Sequence, residues 1–157
     1  MSDLPKRVHL HEEGPREGFQ IEPGPIATAD KVRLIEALAE TGLTEIQCTS
    51  FVNPARVPGM ADAEAVAAAI RKRPGVRYTG LWLNLRGMQR AMATPLDIQG
   101  RVSVSASETF SRRNTGKGTE DVLDELRATL AFCAERSIPL ASGTVSTTDR
   151  TPIQAEV

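Results

Sequence analysis

The chain has 157 residues, 40% hydrophobic and 25% charged, with a net charge of −1. That is room for one domain with a buried core, and neither sign of charge dominates enough to suggest nucleic acid or an anionic membrane as a partner. Aromatic residues make up only 4% of the chain, which argues against base-stacking platforms, and the longest apolar run, residues 65–70, is far too short to cross a bilayer.

In chain order, residues 8–12 read as a short, polar strand. Residues 14–25 hold Gly14-Pro15, Gly18 and Pro23-Gly24-Pro25, a density of breakers that predicts irregular backbone with no helix. Thr28 is the expected N-cap of a helix on which Val32, Ile35, Leu38 and Ala39 recur at helical spacing, with Gly42 as its stop. Residues 43–49 read as a strand, and Asn53-Pro54 and Pro58-Gly59 as a loop. Asp62 opens a second helix to about residue 73, closed by Pro74-Gly75. Residues 77–83 form a third strand carrying Tyr78 and Trp82, both first of all packing residues. Asn84 caps a short helix to residue 93, and residues 98–106 alternate like a fourth strand. Residues 107–118 read as a polar loop. Thr119 is the expected cap of the longest helix, with Val122, Leu126, Leu130 and Cys133 on one stripe. Residues 139–145 are a fifth strand, and residues 146–157 an irregular tail.

Strict alternation of strand and helix means parallel strands joined by crossovers. Periodicity leaves two architectures open, a doubly wound sheet and a (β/α) barrel. A complete eight-stranded barrel takes roughly 250 residues, so this chain would hold about half of one.

Cys48 and Cys133 form neither a CxxC pair nor a metal-finger spacing. Both read as buried packing residues. Free thiols and a polar N-terminus without a signal peptide predict a cytoplasmic setting. His9 and His11 are the only histidines. With Glu13 they would share one face of a strand, which could hold a transition metal, but hydrogen-bonded structural histidines are the simpler expectation. Residues 114–119, N-T-G-K-G-T, lack the spacing of a phosphate loop.

Five ordered blocks carry a resemblance. The segment E-E-G-P-R-E-G-F-Q (12–20) is similar to E-x-G-P-R-D-G-L-Q, the first strand-end signature of hydroxymethylglutaryl-CoA lyases. I-Q-C-T-S-F-V-N-P (46–54) resembles I-E-x-T-S-F-V-S-P, and V-P-G-M-A-D (57–62) resembles V-P-Q-M-x-D. L-N-L-R-G (83–87) looks like P-N-x-K/R-G. A-S-E-T-F (106–110), followed by Arg112-Arg113-Asn114, looks like A-S-E-x-F with its basic pair and Asn. Residues 31–43 also resemble the family's first helix. Each block lies just past an expected strand, where barrel enzymes place their chemistry.

The resemblance implies an α/β fold, a parallel (β/α) barrel of TIM type, here only about its first half: four βα units plus a fifth strand in a single partial domain, 1–157. It implies cleavage of 3-hydroxy-3-methylglutaryl-CoA, or a related 3-hydroxyacyl-CoA, to acetyl-CoA and acetoacetate, assisted by Mg²⁺ or Mn²⁺. In that reading Arg16 stabilises oxyanion charge and Glu17, in place of the family's Asp, is a metal ligand. Gln47 falls where the family has an acid, and an amide can neither carry negative charge nor take a proton. Gln20, Ser50, Asn53, Glu108, Arg112 and Asn114 are the candidate substrate contacts, the basic pair being suited to the phosphates of CoA.

The family's His-x-His pair, late metal-binding Asn and glycine-rich cysteine loop have no counterpart here. A half barrel leaves strand edges open, so a homo-oligomer or a complementing second half-barrel is expected. The expected account of the length is a truncation, a frameshifted or split gene, or an incomplete fragment. Two other roles stay open: a catalytically silent half-barrel acting as an assembly module, and an acyl-CoA condensing enzyme of the isopropylmalate synthase type.

Overall fold

The computed structural model describes residues 5–98, 100–140 and 142–146. They divide into two compact units, one of residues 5–82 and 86–98, the other of 83–85 and the described residues from 100 onward.

The first unit is built on a three-stranded parallel sheet in the spatial order β1 (His11–Glu12), β2 (Glu45–Ser50), β3 (Arg77–Leu81). Parallel neighbours require a crossover. The helices α1 (Gly14–Ile21) and α2 (Thr28–Ala39) lie between β1 and β2, and a 3-10 turn at Pro58–Met60 and α3 (Ala63–Ala69) lie between β2 and β3; α4 (Leu85–Met92) follows β3. Helix α2 buries Lys31, Ile35 and Ala39, one stripe at i, i+4 and i+8. It stops before Gly42, whose φ of 92° suits a residue without a Cβ.

The β2–β3 ladder slips by one residue between Gln47 and Thr49. This bulge has a consequence for which side chains share a face. Gln47 pairs with Thr79 and Ser50 with Leu81, so Gln47 and Ser50, three apart in sequence, fall on the same face of the sheet. Without the bulge they would point to opposite faces. The other face carries the paired Ile46 and Tyr78, both fully buried, and the core there is completed by Ile35, Met60, Val66 and Ala67. The Tyr78 hydroxyl accepts the Arg73 backbone N–H at 3.1 Å, so its one polar atom is satisfied.

The second unit pairs β4 (Arg101–Ser105) with β5 (Ser142–Ser146), again parallel, with α5 (Glu108–Thr115) and α6 (Thr119–Glu135) between them and packed on β4. Helix α6 buries Thr129 and Cys133. The expected irregular tail lies outside the described residues, apart from Ser146, which ends β5.

The expected order of parallel strands and helices is present, and four local expectations are corrected. Residues 14–21 form a helix although breakers were expected to forbid one. Gly14 and Pro15 occupy its first two positions, where N–H groups have no intrahelical acceptor to lose, and Pro23 and Pro25 fall after its end. The expected loop at 107–118 contains α5, because Ser107 caps it by accepting the Phe110 N–H at 3.3 Å and Gly116 closes it at φ 79°. Neither Thr28 nor Thr119 is an N-cap; each is the first helical residue, behind Ala27 and Gly118. Helix α3 ends at Ala69, short of the expected residue 73.

Candidate functional site

Helix α1 follows β1 after a single residue, which sets Arg16 in its first turn beside β2. The side chain is buried, 8% exposed. Its guanidinium is held from three sides: Nε donates to Gln47 Oε1 at 2.6 Å, one terminal nitrogen donates to Glu13 Oε2 at 2.6 Å, and the other pairs with Glu17. A guanidinium has five N–H donors. Three are engaged with described residues, and the other two make no hydrogen bond among them.

The face of the sheet that holds Gln47 is mostly polar, with Leu81 as its apolar member. His11 pairs across the ladder with Glu45, and Gln47 with Thr79. The His11 ring lies between two carboxylates, Nε2 3.6 Å from Glu13 Oε1 and Nδ1 3.4 Å from Glu45 Oε1, and neither nitrogen makes a hydrogen bond among the described residues. Arg77 reaches Glu45 at 3.9 Å. Ser50 and Thr79 are fully buried, and neither hydroxyl has a hydrogen-bond partner among the described residues. A buried hydroxyl without a partner costs about 1–3 kcal/mol, so this face is built to receive polar atoms from water or a ligand.

The other residues singled out in the sequence are placed differently. Gln20 is half-buried on α1. Asn53 is exposed and its Oδ1 accepts the Ala55 N–H at 3.0 Å, so the side chain shapes its own turn. In the second unit, Glu108 pairs with Arg112 at 2.7 Å and accepts the Thr119 N–H at 2.7 Å, holding the start of α6. The Thr119 N–H, and then the Arg112 charge, draw the Glu108 carboxyl below its ordinary pKa. Arg113 and Asn114 are exposed on α5. His9 is exposed. Cys48 is buried, and burial pushes its thiol up to about 12, far from the thiolate a nucleophile needs.

Two features behind this site were not read from the sequence. The first is Glu13, seen there only as a companion of the histidines. The second is an anchor beneath it. Lys31 is 4% exposed; its Nζ donates to Gly59 O and to Asp62 Oδ1, both at 2.6 Å, and Thr28 donates to Asp62 Oδ2 at 2.7 Å. Burial pushes the Asp62 carboxyl up, but the hydrogen bonds from Lys31 and Thr28 outweigh it and leave the pKa lowered. Gly59 also lies against α1: a Cβ there would stand 2.7 Å from the Phe19 carbonyl oxygen. The 57–62 block thus ties α1, α2 and α3 together. Lys31 at a buried helical position, four before Ile35, was the signal available for it, since a lone buried ammonium needs a partner.

A hard cation such as Mg²⁺ takes six oxygen ligands in near-octahedral geometry. Glu17 is the one expected ligand in the chain, half-exposed and already paired with Arg16. Among the described residues no group of three or more His, Cys, Asp or Glu side chains converges to hold a metal ion. The described residues do not fit a complete cation site, and any cation bound next to Arg16 needs most of its ligands from elsewhere.

No protein-family model matches the chain. A Pseudomonas aeruginosa protein named 3-hydroxy-3-isohexenylglutaryl-CoA/hydroxymethylglutaryl-CoA lyase is 41% identical over 136 residues, which is 87% of this chain and 45% of that protein. The mitochondrial hydroxymethylglutaryl-CoA lyase of Gallus gallus is 41% identical over 139 residues, covering 87% of this chain and 46% of the relative. Among solved structures, hydroxymethylglutaryl-CoA lyase from Pseudomonas aeruginosa superposes with a TM-score of 0.79 at 39% identity, over 92% of this chain and 47% of that one. A hydroxymethylglutaryl-CoA lyase from Acinetobacter baumannii, in complex with coenzyme A and 3-methylmalate, superposes with a TM-score of 0.82 at 28% identity, over 98% of this chain and 50% of that one.

Proposed function

Since the chain belongs to the hydroxymethylglutaryl-CoA lyase family and spans about half the length of the curated relatives it matches, we propose that it supplies the oxyanion-facing half of a carbon–carbon lyase site acting on 3-hydroxy-3-methylglutaryl-CoA or a related 3-hydroxyacyl-CoA. The observation that carries this reading is Arg16: a buried guanidinium, fixed by three side chains, with two N–H donors that make no hydrogen bond among the described residues.

In the retro-Claisen step, a base takes the proton of the tertiary hydroxyl. The bond between C2 and C3 breaks, its electron pair goes to C2 as the acetyl-CoA enolate, and C3 becomes the ketone of acetoacetate. Protonation of C2 then completes acetyl-CoA. Negative charge therefore develops first on the hydroxyl oxygen and then on the thioester oxygen. A preorganised cation facing either oxygen lowers the barrier, because its dipoles do not have to reorganise during the reaction. Arg16 is held for that role. Gln47 accepts from Arg16 and has no proton affinity at neutral pH, so it orients the cation and the base lies elsewhere. The orphaned hydroxyls of Ser50 and Thr79 offer further contacts to substrate oxygens.

The reading includes Mg²⁺ or Mn²⁺ in the complete enzyme, which when bound would polarise the substrate's oxygens. It also includes an acyl-CoA ligand and a second copy or complementing half-barrel. Among the described residues β1 and β5 each pair with a single neighbour, and an unpaired edge is a template for another strand. The buried thiols of Cys48 and Cys133 support a reducing compartment, the cytoplasm in this reading.

The test is turnover of 3-hydroxy-3-methylglutaryl-CoA by size-purified chain, with and without Mg²⁺ or Mn²⁺. The proposal expects metal-dependent release of acetoacetate that falls by at least about 100-fold in Arg16→Ala, the scale for losing an oxyanion donor. A well-folded chain, alone or with a complementing half, that shows no turnover refutes it in favour of a silent assembly module.

A further inference from the structure

We infer that Glu13 is a positioning residue for Arg16, supplying from the start of α1 the carboxylate that β2, with Gln47, does not. The inference rests on Arg16 being the oxyanion-facing group proposed above.

Three observations converge on Glu13. It is the N-cap residue of α1, yet its side chain makes no cap hydrogen bond. Short polar side chains at that position cap the first turn; the longer Glu13 side chain instead accepts from Arg16 at 2.6 Å. Its second oxygen faces His11 Nε2 at 3.6 Å, so the carboxylate is set between a β1 side chain and the guanidinium. Finally, the partner of Arg16 on β2 is a neutral amide. A buried guanidinium needs compensating negative charge close by, and two carboxylates are available: Glu13, with 38% of its side chain exposed, and Glu17, with 55%. Glu13 is the better shielded from solvent, and solvent weakens such pairs. Glu17 holds the other terminal nitrogen from a more exposed position. The division of labour is then Gln47 on Nε and Glu13 on a terminal nitrogen, which together fix the plane of the guanidinium.

The experiment reads that plane directly. In ¹⁵N-labelled full-length chain, the Arg16 side-chain N–H signals are identified by their loss in Arg16→Lys, and their exchange with water is measured. Glu13→Gln is expected to speed that exchange by about 10-fold or more. Gln47→Glu added to Glu13→Gln is expected to restore most of the protection, since it puts a carboxylate 2.6 Å from Nε in place of the amide. A merely structural role for Glu13 would not be rescued from another strand. Exchange unchanged within 2-fold in Glu13→Gln, or no recovery in the double variant, overturns the inference. Glu13→Asp, which shortens the reach by one methylene, gives the same reading should Glu13→Gln not fold. The result does not depend on turnover, so an inactive chain that behaves as expected here would refute the proposed function while showing that Glu13 fixes the Arg16 guanidinium, and unchanged exchange in an active chain would refute the role of Glu13 alone.

Discussion

Replacing Lys31 by Met should cost the first unit about 2–3 kcal/mol of stability. The substitution keeps an apolar stem of similar length in a site that is 4% exposed, so burial is largely retained. What it removes is the ammonium and its hydrogen bonds to Gly59 O and Asp62 Oδ1, each 2.6 Å long. Breaking one side of a fully buried ion pair costs about 3–5 kcal/mol, because the remaining charge has lost its partner. Here the cost is smaller: the Asp62 side chain is 25% exposed and keeps the Thr28 hydroxyl. Urea unfolding followed by Trp82 fluorescence measures it, since Trp82 is the chain's one tryptophan, is buried, and belongs to the same unit. The pH dependence gives a second reading. Asp62 has a folded pKa below its ordinary value, so the native state binds fewer protons there than the unfolded chain. Its stabilisation is therefore complete above the unfolded value of about 3.9 and is lost as pH falls through the lower folded value. The gap between the parent chain and Lys31→Met should accordingly close below about pH 4. A double-mutant cycle with Asp62→Asn should show a coupling of about 1–2 kcal/mol. A loss under about 0.5 kcal/mol, or single effects that simply add, would refute the anchor.

Gly59→Ala should destabilise the same unit by about 1–3 kcal/mol, as overpacking does, because the new methyl would stand 2.7 Å from a backbone oxygen that cannot swing aside; unfolding within about 0.3 kcal/mol of the parent would show that α1 and the 57–62 block give way freely. Cys48 should resist iodoacetamide at pH 8 in the native chain and react once unfolded in urea, since burial holds its pKa at about 12. Mass spectrometry of the labelled peptide checks this, and rapid native labelling would contradict the buried thiol.

Long periodic elements were legible in the sequence because their signals are local. The recurrence of Val32, Ile35, Leu38 and Ala39 and the stop at Gly42 define α2 without reference to the rest of the chain. Helices α1 and α5 were misread for the opposite reason. Gly14 and Pro15 look like breakers in a window average and are acceptable only because they occupy a first turn. The polar run at 107–118 has no apolar stripe, and its helix rests on the Ser107 cap and the Gly116 stop. The candidate site divides in the same way. Arg16, Glu17, Gln47 and Ser50 were legible as positions in motifs, while Glu13 and Lys31 acquire meaning only from partners: three residues away across a helical turn in one case, and more than 25 away in the other.

From the order of residues alone came the alternation of strands and helices, the parallel sheet it demands, and the identity of the charged groups just past each strand. Tertiary structure alone decided which of those groups meet. A one-residue slip in the β2–β3 ladder places Gln47 and Ser50 on one face, and the turn from β1 into α1 brings a guanidinium onto Gln47. Both depend on register and reach between strands, which are properties of a pair of segments and are written in neither segment by itself.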